Sequence, residues 1–191
     1  MTAGEAPAGS PAAIRYTRVA VSLHWLIATL IVVNLAIGWF HDSFAKPVGS
    51  ALISGHKAIG LTVILLALVR LAWRLSHRPP PFDPVMKAWE RWLATATHWA
   101  FYLLMLAAPV TGWLMVSANG RATSWFGLFD VPALPITGGK AAHEIYESRH
   151  ELIGYLMLAL IVLHVGGALK HHLQGHRQLF GRMAPWFYRE A

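Results

Sequence analysis

The stretch Arg149-His150-Glu151-Leu152-Ile153-Gly154-Tyr155-Leu156-Met157-Leu158-Ala159-Leu160-Ile161-Val162-Leu163-His164 decides the fold. From Leu152 to Leu169 the chain carries no Asp, Glu, Lys or Arg, and this run approaches the ~20 apolar residues that cross a bilayer as a helix. His150 and His164 are 14 residues apart, which on a helix is ~21 Å of rise with only ~40° between their directions. One helix therefore presents two imidazoles on nearly the same face at two depths. Ionisable groups so placed are costly and point to function.

Working outward, three more stretches have the same character: Val19 to Phe40, about Ala51 to Trp73, and Trp92 to Ala118. They explain a composition of 55% hydrophobic and 13% charged residues over 191 residues, which is unusual for a water-soluble domain. Lys57, near the start of the second stretch, can snorkel to the headgroups. The expected fold class is all-α, an integral membrane four-helix bundle. Residues 1–14 are rich in Ala, Gly and Pro with neither a basic start nor an apolar core, so they read as a disordered tail rather than a cleaved signal. Residues 15–175 hold the four spans, and 176–191 form a short C-terminal tail. His77 to Pro84 and Asn119 to Ser148 read as loops.

Charge sets the orientation. Arg15, Arg18, Arg70, Arg74, Arg78, Lys87, Arg91, Lys170, Arg177, Arg182 and Arg189 fall on the side of the termini, against Lys46, Lys57, Arg121, Lys140 and Arg149 on the other. An excess of eleven over five places both termini in the cytoplasm. These cations flank apolar spans instead of clustering on a soluble face, which argues against nucleic acid as a partner. The absence of Cys removes covalent haem attachment, iron–sulfur clusters and thiolate zinc sites.

The histidines pair by depth. His24 lies six residues beyond Arg18 on an outgoing span, and His164 six residues before Lys170 on an incoming one. His56 and His150 sit near the outer starts of spans two and four, beside Lys57 and Arg149. Facing imidazole pairs in a helical bundle, one pair per leaflet, are what two bis-histidine haems require. Gly60, Gly154, Gly166 and Gly167 would let a flat macrocycle approach the backbone, although small residues equally mark helix packing. The competing reading, a divalent-metal transporter, needs ligands converging at one depth, and acidic partners are absent within the spans.

The chain also resembles the bacterial cytochrome b561 family of membrane cytochromes. The resemblance rests on Arg15-Tyr16-Thr17-Arg18 with Leu23-His24-Trp25, Ser54-Gly55-His56-Lys57, Tyr102-Leu103-Leu104 with Pro109-Val110-Thr111-Gly112, His150-Glu151 and Leu163-His164. It implies a bacterial inner membrane location and two haem b groups, with His24 and His164 as axial ligands on the cytoplasmic side and His56 and His150 on the periplasmic side. It further implies electron transfer involving ubiquinone, either in a stand-alone oxidoreductase of the superoxide oxidase type or in a b-type anchor subunit of a hydrogenase or dehydrogenase. A superoxide donor, or a periplasmic redox protein, would meet Lys57, Lys140 and Arg149. His171, about 20° from the face of His164, is the candidate quinone contact, with Arg15, Arg18 or His98 as neighbours. His98 shares a face with Tyr102, Met105, Pro109 and Gly112 and has no opposite partner of its own, so a propionate or structural hydrogen bond is expected of it rather than ligation. A kink is expected at Pro109–Gly112.

Overall fold

The computed structural model describes residues 15–175 and 181–184. The two tails expected from the sequence, residues 1–14 and most of 176–191, lie outside the described residues. Four helices dominate: α1 Arg18–Phe40, α2 Lys46–Ser76, α3 Ala88–Ser117 and α4 Gly139–Leu173. All four are long and apolar enough to cross a membrane. Their number returns the chain to its starting side.

Local chemistry starts and stops these helices. Thr17 caps α1 by accepting the Ala20 N–H at 3.2 Å. Pro47 lies in the first turn of α2, where its missing N–H costs nothing. Glu90 reaches back to the Lys87 N–H at 2.9 Å to close the first turn of α3. The expected kink is not a break, because α3 runs unbroken through Pro109. There, Thr111 Oγ1 donates to the carbonyls of Ala107 and Ala108, both at 2.8 Å.

Two features differ from what the sequence suggests. First, α4 starts thirteen residues ahead of Leu152, at Gly139. Its 35 residues amount to ~52 Å, well beyond the ~30 Å hydrocarbon layer. The extra turns carry Lys140, Glu144, Glu147, Arg149 and Glu151, so hydropathy marks where the helix enters lipid and not where it begins. Second, the loop after α3 contains a hairpin, β1 Thr123–Trp125 paired antiparallel with β2 Phe129–Val131. Phe126 and Gly127 both have positive φ, 52° and 75°, the backbone of the tight hairpin turn whose twist matches the strands. Trp125 Nε1 anchors it to Thr62 Oγ1 of α2 at 3.1 Å, and Trp113 Nε1 to the Pro132 carbonyl at 3.1 Å.

The helices pack in chain order, α1 on α2, α2 on α3 and α3 on α4, while α1 and α4 barely approach by backbone. This leaves a seam bridged by side chains such as the stacked Trp39 and Tyr155 rings, 5.8 Å apart. The core, Ile27, Val63, Ala67, Tyr102, Met105 and Met157, lies at mid-height, with Met157 midway between His150 and His164. Leu103 and Val162 are 67% and 65% exposed, which suits side chains solvated by acyl chains.

Residues 181–184 lie against the bundle. Trp25 Nε1 donates to the Met183 carbonyl at 2.6 Å, Arg182 Nη1 donates to the Pro81 carbonyl at 2.6 Å, and Ala184 is buried. Trp25→Phe keeps an aromatic ring and removes the donor. It is expected to lower stability by about 1 kcal/mol and to speed proteolytic cleavage after Leu173, read by limited proteolysis of the purified chain.

Candidate functional site

The four sequence-predicted histidines meet in pairs. The rings of His56 and His150 have centroids 5.8 Å apart, and those of His24 and His164 6.2 Å apart. α4 supplies one member of each pair. α2 supplies the outer partner and α1 the inner one, across the seam. No group of three or more His, Asp or Glu residues poised to hold a metal ion occurs among the described residues.

The outer pair is built symmetrically. His56 donates Nδ1–H to the Asn34 carbonyl at 3.0 Å, and His150 donates Nδ1–H to the Ala108 carbonyl at 2.8 Å. A carbonyl only accepts, so each Nδ1 carries the proton and each Nε2 keeps its lone pair. Four residues after each accepting carbonyl stands a glycine, Gly38 and Gly112, and each histidine ring lies against it. A Cβ on either glycine would stand 3.2 Å from the Cε1 of His56 or His150 respectively. These are not the glycines that the sequence singles out. Gly60 instead faces Pro109 and Gly154 faces Leu35, while Gly166 and Gly167 have nothing within 4 Å. The signal that would find the right ones is a glycine inside an apolar helix four residues beyond a carbonyl that a neighbouring histidine can reach.

The inner pair has more company. The ring centroid of His98 is 5.7 Å from that of His164, the residue that His24 also faces, and the Phe101 ring lies 5.3 Å from His164. Arg70, which charge alone places with the flanking cations, lies inside α2 with Nη1 3.2 Å from His24 Nδ1. Beside it is a cavity lined by Arg15, Tyr16, Arg70, Arg74, His98 and Tyr102 among others. Tyr16, outside the spans, has its phenol pushed above the usual range by burial, against the pull of Arg74, Arg182 and Arg70.

His171 lies about two turns beyond His164, toward the C-terminal end of α4, with Nε2 4.0 Å from Glu90 Oε1, the same oxygen that Lys170 Nζ approaches at 2.7 Å. Val85, Trp89 and Gln174 complete a cavity there. On the outer side Lys140 pairs with Glu144 at 3.6 Å. His41 and His143 bond to the carbonyls of Gly38 and Met115 at helix ends.

The paired residues fit an iron porphyrin. Two metal–imidazole bonds of ~2.0–2.1 Å plus a ring radius of ~1.1 Å on either side place the centroids about 6 Å apart. Both pairs have that spacing, and the outer pair has the tautomer that ligation through Nε2 needs. A membrane-spanning helical bundle with paired imidazoles suited to haem is a membrane cytochrome in class.

Comparison with known proteins agrees. The family model for prokaryotic cytochrome b561 matches residues 15–186, and the chain belongs to that family. It is 32% identical over 169 residues to "Cytochrome b561 homolog 2" of Escherichia coli (strain K12), covering 83% of this chain and 85% of the relative. It is 26% identical over 179 residues to "Cytochrome b561 homolog 1" of the same organism, covering 90% and 97%. It is 25% identical over 174 residues to "Probable superoxide oxidase CybB" of Yersinia pestis, covering 90% and 96%. The protein is thus a b-type membrane cytochrome with an electron-transfer role.

Proposed function

We propose that the chain is a di-haem quinone-linked oxidoreductase of the bacterial inner membrane, both termini cytoplasmic, taking electrons from a periplasmic donor and delivering them to ubiquinone. One observation carries the reading: α4 holds a member of each of two histidine pairs, ~21 Å apart along its axis. His56 and His150 would hold the periplasmic-side haem, and His24 and His164 the cytoplasmic-side one. Haem iron supplies reversible one-electron chemistry at each pair.

The residues around each pair do the rest. Haem held by these imidazole pairs would supply electron transfer and not oxygen or peroxide binding. Superoxide is the donor proposed on the strength of the Yersinia pestis relative. Exposed Arg149 and half-buried Lys57 beside the outer pair would draw in an anion. The balance is two superoxide ions and one quinone, with two protons, giving two dioxygen molecules and one quinol. His171 would hydrogen-bond a quinone carbonyl, and the protons would enter from the cytoplasm past Glu90 and Lys170.

Two measurements on the detergent-purified chain test this. The reduced-minus-oxidised spectrum with the haem-to-chain ratio is expected to give two low-spin b haems. Superoxide-dependent quinone reduction is expected to fall at least tenfold in His171→Leu with both haems kept. One haem per chain would sink the di-haem reading, and unchanged quinone reduction in His171→Leu would remove that residue from the quinone site.

A further inference from the structure

The inner pair differs from the outer in one contact. His56 and His150 give Nδ1–H to backbone carbonyls, whereas His24 Nδ1 faces Nη1 of Arg70 at 3.2 Å. A guanidinium has donors only, so here Nδ1 accepts and the imidazole proton sits on Nε2. Ligation through Nε2 requires the other tautomer. With that tautomer two donors would face each other, so a haem-ligating His24 would leave Arg70 to a different acceptor.

The surroundings offer no protein carboxylate. Arg15, Arg70, Arg74 and Arg78 line one cavity, and neither Asp nor Glu lines it. No described acidic side chain pairs with Arg70 or Arg74. The Arg74 guanidinium instead lies 5.9 Å and 6.0 Å from the ring centroids of Trp99 and Tyr102. The Tyr102 hydroxyl is buried beside Arg70. Two half-buried guanidinium charges, Arg70 and Arg74, beside a cavity without a carboxylate call for an anion, since buried charge is costly without a counter-charge. Haem b brings two carboxylates, and the guanidinium fork matches a carboxylate with two parallel hydrogen bonds.

We infer that Arg70 and Arg74 clamp the carboxylates of the inner haem. This rests on His24 and His164 being the inner axial pair. A phospholipid phosphate in the cytoplasmic headgroup layer offers the same chemistry, and the test separates the two.

The chain is produced in haem-auxotrophic cells supplied with haem or with its dimethyl ester, alongside Arg70→Gln, Arg70→Lys, Arg74→Gln and His164→Ala. Haem content and the potential of each low-spin centre are read in detergent. Arg70→Gln is expected to keep the outer haem, which reports a folded bundle, and to retain the inner one about tenfold more weakly, as loss of a charge-assisted bond predicts. Its residual inner haem should titrate at a lower potential, because a cation favouring the reduced state is gone. Arg70→Lys should fall between the two. The unaltered chain should take the ester as poorly as Arg70→Gln takes haem. Equal uptake of ester and haem by the unaltered chain overturns the clamp, and a phospholipid lost on Arg70→Gln in native mass spectrometry would then assign the cations to a lipid phosphate. Loss of the inner haem in His164→Ala with Arg70→Gln unaffected overturns the clamp alone. Full haem content in His164→Ala overturns the axial pair itself.

Discussion

Replacing His164 by alanine is expected to halve the haem content of the purified chain, from two groups to one, with the outer centre spectrally unchanged. His164 is the shared member of the inner site: the rings of His24 and His98 both face it, at 6.2 Å and 5.7 Å. His24→Ala should be milder, because His98 on α3 remains within reach of the same site. We expect His24→Ala to keep a fraction of the inner haem with a shifted band and a changed potential, and the His24→Ala/His98→Ala double variant to keep none. Pyridine haemochrome assay and potentiometric titration of each variant check this. Complete loss in His24→Ala alone would show that His98 cannot substitute, and full retention in His164→Ala would remove the inner pair.

The second large effect concerns glycines that no charge or polarity marks. A Cβ at Gly38 would stand 3.2 Å from His56 Cε1, and one at Gly112 would stand 3.2 Å from His150 Cε1. Alanine at either position requires a shift of a few tenths of an ångström, offset in part by the ~1 kcal/mol that alanine gains over glycine inside a helix. Valine adds two further methyls into space the imidazole occupies. Gly38→Val and Gly112→Val are therefore expected to displace the ring, lose the outer haem and leave the inner one. Gly38→Ala and Gly112→Ala should keep both haems with a shifted outer potential. Gly60→Ala and Gly166→Ala serve as controls, since a Cβ there meets Pro109 at an ordinary 3.5 Å or nothing within 4 Å. Both should behave as the unaltered chain. Gly112→Val with two haems and an unchanged outer potential would mean that the close approach does not position His150.

Much of the architecture is legible in the sequence because its determinants are local. Four apolar runs long enough to cross lipid have to be helices, as no other open backbone satisfies its own hydrogen bonds there. Each run is matched by a membrane-length helix. The depths of His24, His56, His150 and His164 follow from counting residues to flanking cations, and a regular rise turns that count into height. The extra turns of α4 are hidden because the segment from Lys140 to Glu151 is rich in charge, and hydropathy reports the solvent around a helix and not the helix. The hairpin is hidden by its length: three residues a side give no periodicity to read, and Phe126 is an unusual residue to hold positive φ at 52°.

The sequence by itself determined the class of fold, the number of spans and the heights at which the imidazoles stand, because each depends on the chain near that residue and on the bilayer. Only the tertiary structure decided which neighbours each imidazole meets. That Asn34 and Ala108 offer carbonyls to His56 and His150, that Gly38 and Gly112 give those rings room, and that Arg70 turns inward to His24 while His98 faces His164 all depend on how the helices lie against one another. That arrangement is set by the summed packing of many side chains around Ile27, Ala67 and Met157, and no single stretch of the chain encodes it.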